Sequence, residues 1–216
     1  MVQIKVDIAA RKNYGNRRKT KDIKYLVIHY TGNDGDSAKG NANYFKTHIV
    51  EASAHYFVDD NGIIQSVPDD FVAYSVGGRK YPSCGKTGGG RFYGKCTNEN
   101  SINVELCDTR KNGKYDFSEK TLENAAQLSR LLLKKYNIPV DNIIRHFDVT
   151  GKNCPAPFVS DEKAWKAFKE RIVDEVKYYE EKKDVPKWAQ PMVQDMIDKG
   201  CFGDTKALHL RDRKST

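Results

Sequence analysis

No stretch of the 216-residue chain comes near the ~20 consecutive apolar residues that a bilayer span takes, which excludes an integral membrane protein built of helices. The start, MVQIKVDIAARKNYGNRRKTK, has no apolar segment between a basic end and a small-residue cleavage site. It therefore does not read as a secretory signal, and the expected product begins in the cytoplasm of the cell that makes it. Cysteines number only five, an odd count, which together with the missing signal argues against a disulfide framework. Cys84 and Cys96 would be able to pair across a loop outside a cell; two reduced thiols is the favoured reading. Acids are missing between Asp70 and Glu99, where Arg79, Lys80, Lys86, Arg91 and Lys95 fall. No internal repeat is present.

Hydrophobic residues make up 38% and charged residues 31% of the chain, enough apolar matter for one core. Lys and Arg exceed Asp and Glu by 37 to 29, a formal charge of +8 that favours a polyanionic partner without choosing it. A nucleic-acid binder is disfavoured, because the basic clusters lack interleaved aromatics and no nucleic-acid motif occurs. The string CGKTGGG is not a phosphate-binding loop: the glycine needed five residues before Gly85 is Lys80.

Periodicity predicts strands at Tyr25–His29, Ser101–Cys107 and Asn142–Arg145, and a hairpin turning at Asn61-Gly62. It predicts helices from Ser37 to His48, from a Ser118 cap to Tyr136, from a Ser160 cap through Trp165, Phe168, Ile172 and Val176, and from Lys187 to Lys199. Residues 76–100 and GKNCPAP read as loop. Strands interleaved with helices imply a layered domain of mixed α/β or α+β class over about 180 residues, with a short helical C-terminal extension. The charged run Glu180–Asp184 marks a boundary between residues 1–180 and 181–216. The second piece either docks on the first or belongs to a truncated targeting or self-association module. Nothing in the sequence sets the oligomeric state.

His29 ends a buried strand, and His146 and Cys154 flank the tight segment HFDVTGKNCP. Imidazole and thiolate suit zinc, and three protein ligands leave an open fourth position. By residue type alone, a strand-edge His is as readily a satisfied polar residue and a lone Cys a core residue. His48 and His209 read as surface residues.

The segments VIHYTGN, AHYFVDDNG, SINVELC and RHFDVTGKNCP, in this order over about residues 20–175, resemble the amidase-2 family of N-acetylmuramoyl-L-alanine amidases, which shares its fold with the peptidoglycan recognition proteins. The resemblance implies an α/β fold with a central mixed β-sheet flanked by helices, and a Zn²⁺ held by His29, His146 and Cys154, with Glu105 as general base and Lys152 as a catalytic lysine. Its substrate would be bacterial peptidoglycan, glycan strand and stem peptide, cut between the lactyl group of N-acetylmuramic acid and L-alanine. Two departures appear: Ala54 stands where some members carry a catalytic Tyr, and Tyr74 and Val76 stand where Trp and His are frequent. Supporting or substrate-contacting roles are expected for His55, Asp148, Asn103 and Lys86, the first two as hydrogen-bond partners of a ligating His. An unsignalled wall amidase fits a phage or prophage endolysin that waits for a holin-type membrane lesion; an autolysin or a muropeptide recycler is also open. A non-catalytic recognition module on the same fold is the alternative, although such modules generally lose a zinc ligand.

Overall fold

Short segments pair as strands, most of them rich in valine, isoleucine and aromatic residues: β1 (Ile4–Val6), β2 (Tyr14–Arg17), β3 (Tyr25–Tyr30), β4 (Tyr56–Asp59), β5 (Gly62–Gln65), β6 (Phe71–Ala73), β7 (Ser101–Leu106), the polar pair β8 (Thr109–Lys111) and β9 (Lys114–Asp116), and β10 (Ile143–Arg145). The computed structural model describes residues 3–173 and, beyond them, 178–179, 183, 185, 187, 189–200 and 210–211. Six strands form one mixed sheet in the order β1-β5-β4-β7-β3-β10. Only the β4–β5 hairpin is antiparallel; β1–β5, β4–β7, β3–β7 and β3–β10 are parallel. β3 and β7 are neighbouring interior strands covered on both faces, which is why YLVIHY and SINVEL carry few charges.

The helices are α1 (Ala38–Thr47), α2 (Cys84–Thr87), α3 (Glu119–Tyr136), α4 (His146–Thr150), α5 (Ala156–Ser160) and α6 (Glu162–Val173). α3 begins where the Ser118 hydroxyl accepts the Thr121 N–H at 3.0 Å and ends at Asn137, which takes the left-handed conformation at φ 52°. Its stripe Ala125, Ala126, Leu128 and Leu132 packs with Phe168 and Ile172 of α6 on one face of the sheet, against Leu26, Ile28, Ile102, Val104 and Leu106. Truncating Leu128, fully buried here, to Ala would cost about 2–5 kcal/mol. On the other face, Val27 and Ile144 lie with Val76, Cys96 and Val149, and Phe57 and Ile64 lie with Ala38, Ala42 and Ala54. Alternation places His29, Asn103 and Glu105 on this second face.

Several local expectations change. The two-residue hairpin loop is Asp60-Asn61, because Asp59 pairs with Gly62 and its carboxylate accepts the N–H groups of Asn61 and Gly62 at 2.7 and 3.0 Å. Gly62 supplies the positive φ, 136°, from the first position of β5. The stretch 76–100 contains α2, and α5 takes the last two residues of GKNCPAP. Ser160 ends α5, and the cap of α6 is Asp161, whose carboxylate accepts from Lys163 and Ala164 N–H at 2.9 and 3.1 Å. α6 is described to Val173, and Val176 lies outside the described residues.

The chain divides into two compact units, 1–173 and 174–216. Within the second unit, α7 (Gln190–Asp198) is shorter than the Lys187–Lys199 span and packs Val193 and Ile197 with Val185 and Ala189. Trp188, Cys201 and His209 lie outside the described residues. Cys84 and Cys96 are buried free thiols, and His48 is exposed. Among the described residues no helix is long and apolar enough to cross a membrane.

Candidate metal centre and cleft

Three elements meet at the edge of the second sheet face. β3 delivers His29, paired in register with Glu105 of β7. β10 runs directly into α4, whose first residue is His146. α4 ends at Gly151 with φ 86°, and the chain doubles back so that the Phe147 N–H donates to the Cys154 carbonyl at 2.8 Å. A Cβ on Gly151 would stand 2.2 Å from the Cys84 sulfur, so both the φ and the space demand glycine there. The result is that ligand atoms of His29, His146 and Cys154 all lie within 4.8 Å of one another, and all three residues are buried. His29 Nδ1 is 3.8 Å from Cys154 Sγ and 3.8 Å from Glu105 Oε1.

The side chains are held in the states a cation needs. Asn103 Oδ1 lies 3.0 Å from His29 Nε2, while its amide nitrogen donates to Ser101 Oγ at 3.1 Å. That assigns the ring proton to Nε2 and leaves the Nδ1 lone pair facing Cys154. Burial lowers the His29 pKa to about 4, opposed by the Asn103 hydrogen bond and assisted by the Lys152 charge. Burial, with the charges of His29 and Lys152, lowers His146 to about 2, and its Nδ1 is buried without a partner. Burial and the Glu105 charge push the Cys154 thiol well above its ordinary value, against the pull of the Tyr30 N–H and Lys152. Two neutral imidazoles with free lone pairs and a thiol whose proton a metal must displace are a donor set suited to zinc. Glu105 is 22% exposed at its side chain, yet Oε2 is buried and unpartnered. Burial raises its pKa to about 8; Lys152 opposes this, and Asp36 and Asp108 add to it.

His29, Glu105, His146 and Lys152 line a cleft of 290 Å³ whose other walls are uncharged, among them Asn41, Tyr44, Ser53, Ala54 and Tyr74. A second hollow of 660 Å³ shares Ser75, His146 and Lys152 with it and continues along Arg79, Lys80, Tyr81 and Pro82.

The sequence model described as N-acetylmuramoyl-L-alanine amidase matches residues 19–157, more than half of the chain. The chain belongs to the N-acetylmuramoyl-L-alanine amidase family. A probable N-acetylmuramoyl-L-alanine amidase of Bacillus licheniformis is 38% identical over 156 residues, 69% of this chain and 41% of that protein. The N-acetylmuramoyl-L-alanine amidase BlyA of Bacillus subtilis (strain 168) is 38% identical over 160 residues, 71% of this chain and 42% of that protein. This chain thus matches about two-fifths of the length of these relatives. Among solved structures, a mutant endolysin from Bacillus subtilis matches with a TM-score of 0.61 at 28% identity, covering 80% of this chain and 99% of that one.

Within this amidase domain the structure brings together His29, His146, Cys154, Glu105 and Lys152, and puts Asn103 on His29. Three expected residues fall elsewhere. His55 is fully buried and touches neither ligating ring. Its Nδ1 accepts the Asn103 backbone N–H at 3.1 Å, and its Nε2 lies 2.8 Å from Arg18 Nη2 and 3.1 Å from the Phe71 carbonyl. Asp148 turns away from His146 and takes the Arg145 backbone N–H and guanidinium at 2.8–3.1 Å, because it closes the capping box of α4. Lys86 is exposed on α2, and the cations that line the second hollow are Arg79, Lys80 and Lys152. Of the two departures, Ala54 and Tyr74 line the cleft, while Val76 is buried with Val27, Cys96, Ile144 and Val149. Sequence reasoning missed Asp36 and Asp108, which act on Glu105 from the TGNDGD turn and the end of β7; clustered acids in that turn were the available signal.

Proposed function

We propose that this chain is a zinc-dependent hydrolase that cleaves the amide between the lactyl group of N-acetylmuramic acid and L-alanine in bacterial peptidoglycan. The observation that carries the reading is the convergence of His29, His146 and Cys154 within 4.8 Å, with Glu105 3.8 Å from His29 at the floor of an open cleft. His29, His146 and Cys154 would hold the zinc, which supplies Lewis acidity to a poor electrophile and a weak nucleophile. Asn103 holds the His29 ring with Nδ1 toward the centre. Glu105 takes a proton from the attacking water and returns it to the departing alanine nitrogen, so one carbon–oxygen bond forms as the carbon–nitrogen bond breaks. Burial raises its pKa, which suits the carboxyl to hold the proton between those two transfers. Lys152, exposed at the junction of the two hollows, offsets negative charge growing on the carbonyl oxygen. With Ala54 at the place of the tyrosine, Glu105 carries the proton transfer alone.

The likeness to an endolysin favours a phage or prophage origin, with release to the wall through a holin-type lesion. The test is a digest of purified cell wall read by mass spectrometry. New N-terminal alanine and freed lactyl carboxylates are expected, stopped by chelation and restored by zinc. Intact wall after incubation with folded, zinc-loaded protein would leave only the recognition-module reading.

A further inference from the structure

The two hollows that meet at the candidate centre differ in charge. The one bounded by Asn41, Tyr44, Ser53 and Tyr74 has neutral polar and aromatic walls, apart from the centre's own residues. The other continues past His146 and Lys152 along Arg79 and Lys80 and carries no acid. Among the described residues no carboxylate pairs with Arg79 or Lys80, so their charge is available to a ligand. The wall that carries them is tied down. The Tyr81 N–H donates to the Thr150 carbonyl at 2.7 Å, and the N–H groups of Gly90 and Phe92 donate to the carbonyls of Phe147 and Asp148 at 3.0 and 2.9 Å. The Lys80 stem lies across Gly90: a Cβ there would meet Lys80 Cε at 2.6 Å and Cγ at 3.3 Å. The basic segment is thereby pinned to α4 and the loop that carries Lys152.

The substrate is equally divided. On the muramic side of the scissile amide the sugars are neutral, since the lactyl carboxyl is consumed in the amide. On the alanine side, the stem peptide carries free carboxylates. We infer that the groove of Arg79, Lys80 and Lys152 receives the stem peptide and reads its free carboxylates, and that the neutral cleft receives the sugar. This rests on the proposed amidase reaction and fixes the direction in which the substrate crosses the centre. Exposed ion pairs are individually weak, so Arg79 and Lys80 together give roughly a tenfold preference, weakening with salt.

The experiment compares two soluble muramoyl peptides, one with its carboxylates free and one with the same groups as carboxamides. At low ionic strength the protein should show kcat/KM about tenfold higher for the free acid, with the difference in KM. Arg79→Ala/Lys80→Ala should bring the ratio close to one, and Arg79→Glu/Lys80→Glu should reverse it, with thermal unfolding checked for both. Equal rates on the two substrates in the unaltered protein, or an unchanged ratio in the charge-reversed variant, overturn the assignment. Loss of binding to an anionic wall polymer with the peptide ratio intact overturns it as well. Hydrolysis of neither peptide by folded, zinc-loaded protein would instead reject the amidase reading, and the groove's assignment with it.

Discussion

Glu105 and Asp69 are both carboxylates removed from water, and their surroundings move them in opposite directions. Asp69 accepts from the Tyr56 hydroxyl at 2.7 Å, Lys135 Nζ at 2.9 Å, Gln65 Nε2 at 3.2 Å and the Tyr136 hydroxyl. Burial alone would raise it, but the hydrogen bonds from Tyr136, Tyr56 and Lys135 with the Lys135 charge outweigh burial and hold its pKa below the ordinary carboxylate value. Glu105 has one oxygen without any partner, and burial wins. The Asp69 cluster has its valences closed from within and serves as scaffold. The Glu105 cluster, with the orphan nitrogen of His146 beside it, is left open for groups from outside the chain.

The sharpest way to break this contrast is to substitute the ligands. Cys154→Ser should remove most bound metal from a protein that otherwise holds about one equivalent, and should abolish wall hydrolysis. Metal analysis with turbidity assays checks both, and full activity after exhaustive chelation contradicts the reading.

Exchanging each carboxylate for its amide comes next. Glu105→Gln should cut turnover by something like 10²-fold or more while metal content and melting temperature hold. Asp69→Asn should instead destabilise by about 3 kcal/mol, with turnover per folded molecule unchanged, because it breaks a buried charged network. Denaturant titrations and kinetics on the pair separate the roles; a Glu105→Gln variant with full activity would remove Glu105 from the proton transfer.

The two groups should also give opposite slopes of stability with pH. Asp69 has a depressed folded pKa, so its contribution is present above the unfolded value of ~3.9 and is lost as pH falls through the lower folded one. Glu105 in metal-free protein has a raised pKa, so the native state binds more protons between ~4.3 and about 8, and stability falls as pH rises across that window. Asp69→Asn should flatten the acid limb and Glu105→Gln the neutral one, in denaturant midpoints measured on chelated protein.

The smallest effect is expected from the second unit. Removing residues 174–216 should leave hydrolysis of a soluble muropeptide nearly unchanged, while whole-cell lysis falls if that unit targets the wall. Collapse of both soluble turnover and thermal stability would make it part of the catalytic core.

Period and punctuation made the long elements readable. SINVEL alternates cleanly, so the shared face of Asn103 and Glu105 followed from the strand alone. α3 carried both a serine cap and a leucine stripe. What stayed hidden depended on tertiary choice. The same Asn-Gly pair occurs twice: at Asn112-Gly113 both residues take positive φ, 52° and 75°, and close the β8–β9 hairpin, whereas at 61–62 the Asp59 carboxylate shifts the loop by one residue. The first was overlooked because TRK and KYD lack apolar alternation. Asp148 answers to Arg145, three residues back at the cap of α4, and not to His146, two residues back, because a helix points an i,i+2 pair apart; the five-residue α4 that decides this is too short to show a period in the sequence.

The parallel pairing of β3 with β7 and β10 has a consequence for biosynthesis. Parallel neighbours need long crossovers, so the three candidate ligands are drawn from positions 29, 146 and 154. While the ribosome is still adding the first 150 residues, a nascent chain holds one imidazole, at most two, and no thiolate at this centre. The centre is therefore complete only late, once Cys154 has cleared the exit tunnel and its carbonyl can accept the Phe147 N–H that closes the loop.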